Sequence, residues 1–204
     1  SNNTAVGARA LYSNTTASNN AAIGYRTMYF NTTGSANNAL GSYALYSNTT
    51  GSYNSAVGSS ALRNNTTGAS NTAIGENALT KNTTASNNTA VGARSLYVNT
   101  TGAVNTAVGQ SALRANTTGS YNTGLGMSAL YSNTTGGRNT GIGYKAGYAN
   151  QSGSYNVFIG YEAGYNETGS NKLYISNSAS TNLITGDFST GDLSLGQTSG
   201  TVSI

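Results

Sequence analysis

Few residues of this chain can do chemistry, and their types restrict what that chemistry is. Five carboxylates, Glu76, Glu162, Glu167, Asp187 and Asp192, are scattered along 204 residues. They are too few to supply calcium ligands at every turn of a repeat. Glu162 and Glu167 read as polar positions near the end of the array, not as the paired acid and base that glycoside hydrolysis needs. With no His and no Cys, there is no imidazole base, thiolate nucleophile, His or Cys zinc site, or iron–sulfur ligand set. We expect no enzyme, no metal site and no cofactor.

What remains are side chains that recur. Tyr12, Tyr29, Tyr46, Arg63, Tyr97, Arg114 and Tyr131 stand at one fixed distance after a recurring glycine, as do Thr80, Tyr148 and Tyr165. Tyrosine joins flat apolar area to a hydroxyl, so such a column suits sugar rings or a receptor surface; the structural alternative, which we favour, is that the rings stack and seal the edge of a coil. Asn14, Asn31, Asn48, Asn65, Asn82, Asn99, Asn116 and Asn133 each begin an Asn-Thr-Thr triplet, the acceptor pattern for N-glycosylation. The cations Arg9, Arg26, Arg94 and Lys145 recur two residues after the glycine, but a net charge of +4 over a long surface is too weak for nucleic-acid recognition.

The elements that must position these residues follow from the period. Gly7, Gly24, Gly41, Gly58, Gly75, Gly92, Gly109, Gly126, Gly143 and Gly160 are spaced by seventeen without a slip, and an Asn precedes each by four. A spacing that admits no insertion means that each unit fixes the next, as stacked coils do. Composition agrees: Ser, Thr and Asn number 27, 30 and 29, only 36% of residues are hydrophobic and 7% charged, so a large apolar core is excluded. The absence of Pro and the fifteen Tyr argue against disorder. No apolar run approaches the roughly 18 residues of a membrane span, and the N-terminus lacks a signal-peptide pattern.

The residue before each glycine is Val, Ile or Leu, and the one before that is mostly Ala. Adjacent strand residues face opposite ways, so this is a short strand covered on both sides. We expect the large side to fill the coil and the Ala side, Ala5, Ala22, Ala39, Ala56, Ala73, Ala90 and Ala107, to approach the same strand of a partner near a three-fold axis. A second apolar column, Leu11 to Leu130, closes the core, and its Ala-Leu pair is a candidate for one helical turn. Asn-Thr-Thr-Gly forms the corner, with Asn side chains laddering roughly 4.8 Å apart.

These N-T-A-V-G-x-x-A-L-x-x-N-T-T-G units resemble the head repeats of trimeric autotransporter adhesins, and more closely the repeat arrays of phage tail fibres and related bacterial surface proteins. The resemblance covers about Asn3 to Gly169. Adhesin heads are left-handed β-rolls packed three around an axis, but their units are shorter than seventeen residues. The stretch with Asn156 to Tyr165, Asn171 to Ser176 and Leu183 to Ser189 looks like the segment that closes such arrays, which in that family often precedes a self-cleaving chaperone domain. The chain ends at Ile204 without one and starts at Ser1 inside a coil, as a matured product or an excised piece would.

The expectation is therefore all-β: a parallel β-roll or β-solenoid of ten coils over residues 1–170, a rod of about 45–50 Å, and a C-terminal β segment over 171–204. The working unit is expected to be a parallel homotrimer. Its function would be that of a non-enzymatic, extracellular structural or attachment fibre whose partners are itself and a cell-surface glycan or receptor, with no nucleic acid and no membrane insertion. The alternative is a self-assembling, glycosylated extracellular filament. An ice-binding solenoid is disfavoured, since adjacent Thr residues present one outward column only.

Overall fold

The computed structural model describes residues 2–196; the last part of the expected C-terminal segment, residues 197–204, lies outside the described residues. The chain is an all-β solenoid of about ten coils of seventeen residues, with no helix among the described residues. Each coil contributes one three-residue strand, from β1 (Thr4–Val6) to β10 (Val157–Ile159). Each pairs in parallel with the next, seventeen residues on, as in Ala56 with Ala73 and Val57 with Ile74. Three longer strands, β11 (Lys172–Ser176), β12 (Asn182–Asp187) and β13 (Asp192–Leu195), extend the same sheet. The pairing of β11 with β10 is still parallel, but β12 and β13 turn back as an antiparallel meander.

The rest of each coil is turn. In place of the expected helical turn, Leu11, Met28, Leu45 and their equivalents take φ near +50°, and the residue two before each is also left-handed. A third left-handed residue stands five before the glycine, among them Tyr53, Val104 and Tyr121 at φ 61°, 60° and 63°. Such backbone closes a coil in few residues but disfavours any side chain with a Cβ. At the recurring glycine the requirement is absolute. Gly75 has φ 133°, and a Cβ there would lie 2.7 Å from Gly92 backbone atoms.

Burial reverses the two faces expected of the strand. Ala22, Ala39, Ala56, Ala73, Ala90 and Ala107 are 0–3% exposed within the single chain, whereas Val6, Ile23, Leu40 and Ile74 are 42–56% exposed. The alanines therefore point into the coil and not at a three-fold axis; Ala5, in the first coil, is exposed but belongs to the same column. The reason is room. The coil interior is filled by Leu45, Leu62 and their equivalents with a further Ala, such as Ala61 or Ala78, per turn, and only a methyl fits opposite them. At Gly141 even a Cβ would come within 2.8 Å of Leu130.

The last coils invert this volume pattern. Phe158 takes the Ala position and is fully buried, while Gly147 and Gly164 replace Leu in the opposite column, where any Cβ would collide with the Phe158 ring. Large-for-small on one wall is matched by small-for-large on the other, which keeps the core filled. The Phe158 ring then packs against Tyr174 of β11, 6.0 Å between centroids, and so ties the meander to the array.

Candidate functional site

Two buried asparagine ladders hold the coils in step. In one, Asn65 Nδ2 donates to Asn48 Oδ1 (2.8 Å) and to its own corner carbonyl at Gly68 (2.9 Å), and Asn82 repeats the pattern on Asn65. In the other, Asn71 donates its backbone N–H to Asn54 Oδ1 (3.0 Å) and its Nδ2 to the Ala85 carbonyl (2.9 Å). Buried amides are costly unless paired, and here each side chain between the ends of a ladder both donates and accepts. The first ladder stops at Asn150, whose Oδ1 has no partner.

The ladder corrects the glycosylation expectation. Asn31, Asn48, Asn65, Asn82, Asn99, Asn116 and Asn133 are fully buried, and the Nδ2 that would carry a sugar is bonded within the core. In the folded coil these seven are closed to modification. Asn14 alone is half-buried, with a long 3.4 Å bond to the Ala17 carbonyl. The Thr-Thr pairs after the first behave alike: Thr49 Oγ1 donates to the Thr66 carbonyl one coil on (3.0 Å), and only the second Thr of each is exposed, whereas Thr15 and Thr16 both are.

The tyrosine column forms a stack. Tyr12, Tyr29 and Tyr46 lie 5.0 and 5.5 Å apart with interplanar angles of 8° and 28°, and Arg63 continues the column 5.9 Å from the Tyr46 ring. After the break at Thr80, Arg114 sits 5.6 Å from both Tyr97 and Tyr131 and donates to the Tyr131 hydroxyl at 2.9 Å. Tyr131, Tyr148 and Tyr165 then stack at 5.1 and 5.0 Å. Ring faces spent on one another are not free for sugars; hydroxyl rims and the outer face of Tyr12, 67% exposed, remain. Lys145 lies across Tyr144, Tyr148 and Tyr165, and its ammonium is held above its ordinary pKa, chiefly by the hydrogen bond with Tyr144.

No protein-family model, curated protein or solved structure matches this chain.

Sequence reasoning missed a second aromatic column. Tyr53, Tyr121 and Tyr155 protrude from the left-handed corner with 71, 58 and 50% exposure. Arg138 lies between two of them, 5.4 Å from Tyr121 and 5.2 Å from Tyr155, and bonds the Tyr155 hydroxyl at 2.6 Å. The signal was a common place five residues before the glycine, obscured because Asn, Ala, Ser and Val share it. At the far end, Lys172, Tyr174, Asp187 and Asp192 on one face of the meander, with Glu167 just ahead of it, surround a shallow cavity of about 290 Å³. Lys172 pairs with Asp187, and Tyr174 donates to Glu167 at 2.6 Å. Among the described residues no group of acids is arranged to hold a metal ion, and no helix is long and apolar enough to cross a membrane.

Proposed function

We propose that this chain is a segment of a non-enzymatic extracellular fibre, a shaft or head that attaches or presents, working as a parallel homotrimer. The observation that carries this reading is the continuity of the ladders. Backbone pairing runs through all thirteen strands, and side-chain amides link coil to coil in two further columns, one from Asn3 to Asn156 and one from Asn31 to Asn150. A chain bonded to itself this way at every rung resists bending, as a mechanical element must.

The exterior supports contact more than catalysis. Protruding Tyr53, Tyr121, Arg138 and Tyr155 offer rings, a guanidinium and hydroxyls to a glycan or receptor, with Tyr12 as the open end of the stacked column. The inward alanines have no part in assembly. Binding of the purified chain to immobilised glycans and to intact cells tests the reading: saturable binding weakened at least several-fold by Tyr121→Ala with Tyr155→Ala supports attachment. Unaltered binding of that variant would move the contact elsewhere, and no binding to any surface would leave a spacer.

A further inference from the structure

The outward side of the sheet is a surface that the attachment reading leaves unused. Strand register carries a single aliphatic column across it, beginning Val6 to Ile23 and passing through Ile74 and Val108. It goes on past Ile159 into the meander and ends at Leu195. All thirteen strands place a Val, Ile or Leu there, and the residues are substantially open: Val6 is 56% exposed, Ile74 43% and Leu195 47%. Beside it runs a mainly polar column, with Thr at most rungs up to Thr140; it turns apolar at Val157 and Leu173 and, after Gly186, ends on Leu193. The meander's charges, Lys172, Asp187 and Asp192, occupy the opposite face, since each adjoins a strand residue of the apolar one.

We infer that this column is the seam on which a second copy of the chain docks, parallel and in register. The inference rests on the self-association proposed above and names its face. Size is the first argument. Thirteen aliphatic side chains, many about two-fifths exposed, amount to an uninterrupted patch on the order of 600 Å², at the upper limit of what monomers leave bare. With the flanking threonines it reaches the roughly 800 Å² that each partner gives to a stable interface.

Period is the second argument. The side chains form ridges at the strand spacing of about 4.8 Å, and a partner can interdigitate along the whole length only if it has the same period. Another copy has it. Orientation follows from the widening at one end. Antiparallel mating would set Leu193 and Leu195 against the Thr4 and Ala21 end, whereas parallel mating sets the two-column apolar end against itself. A cyclic axis parallel to the rod keeps every rung of each copy at one height, and no charge on the seam opposes its own image.

Three chains test this by light scattering: the unmodified chain, Ile74→Lys on the seam and Val104→Lys at a corner, where Val104 is equally exposed at 42%. The seam predicts an oligomer for the first and third and a 20.6 kDa monomer for Ile74→Lys with unchanged circular dichroism. The same oligomer for all three overturns the seam while leaving self-association intact; a monomeric unmodified chain overturns both. Should Ile74→Lys not fold, single cysteines in this Cys-free chain decide. Val108→Cys should react with maleimide at least tenfold more slowly than Val104→Cys and be bridged by a short bis-maleimide to the same residue of a second copy. Equal rates contradict the seam, as does bridging of Val6→Cys to Leu195→Cys. Thermal hysteresis from a monomer would instead give the face to ice and overturn the proposal.

Discussion

Single residues decide which way this coil faces. Alternation along Thr-Ala-Val was legible as a strand with two covered sides, but which side is inside depends on coil thickness, which no local pattern reports. With Leu79 and Ala78 already filling the interior, Ala73 is the residue that fits. Ala73→Leu should therefore cost about 1–3 kcal/mol by overpacking, with a midpoint in chemical denaturation that falls equally at all protein concentrations, while Ile74→Leu leaves the coil itself nearly unchanged. A loss for Ala73→Leu that appears only as subunits associate would return the alanines to an interface. The left-handed corner was also illegible, because Val104, a β-branched residue, is among the least expected at φ 60°,. Val104→Asn should raise stability by about 1 kcal/mol, the cost that asparagine largely avoids; a lower denaturation midpoint would show that Val104 is held by contacts outweighing its backbone cost.

At the scale of elements, the glycine period and the asparagine corner made the coil and its amide ladder legible, since both are demands of backbone geometry repeated at one spacing. The closing elements were only partly so: the change from Ala to Phe158 and from Leu to Gly147 and Gly164 is visible in the sequence, yet its meaning needs both walls in view. Phe158→Ala should cost about 3–5 kcal/mol as a cavity. Adding Gly147→Leu and Gly164→Leu restores the pattern of the earlier coils and should recover much of that loss, whereas Gly147→Leu alone destabilises. Simple additivity in thermal melts would contradict the paired-wall account.

The meander has its own pH limits. The Lys172 ammonium, with help from Ser189, holds the Asp187 carboxyl well below the usual carboxylate range, so its contribution is present above pH about 4 and lost as acid protonates it. Burial and the hydrogen bond to Glu167 push the Tyr174 hydroxyl up to about 12. That raised value favours the folded state below pH about 10, and the benefit disappears as pH climbs toward 12. Absorbance at 295 nm should show a late-titrating tyrosine that Tyr174→Phe removes; a variant that keeps the late phase and loses amplitude near pH about 10 would place Tyr174 in water.

The whole molecule is one rod whose core is thin, whose polar interior is bonded rung to rung, and whose apolar surface runs outside along the sheet. The rod was legible from the repeat, but its outward seam was not, because the strand pattern assigned those residues to the core. Thirteen rungs at about 4.8 Å give a length of roughly 60 Å. Negative-stain imaging of the purified chain across a hundredfold range of concentration tests this most directly. The account predicts discrete, straight particles of one length near 60 Å at every concentration; filaments that lengthen with concentration, or compact particles without a long axis, would contradict it.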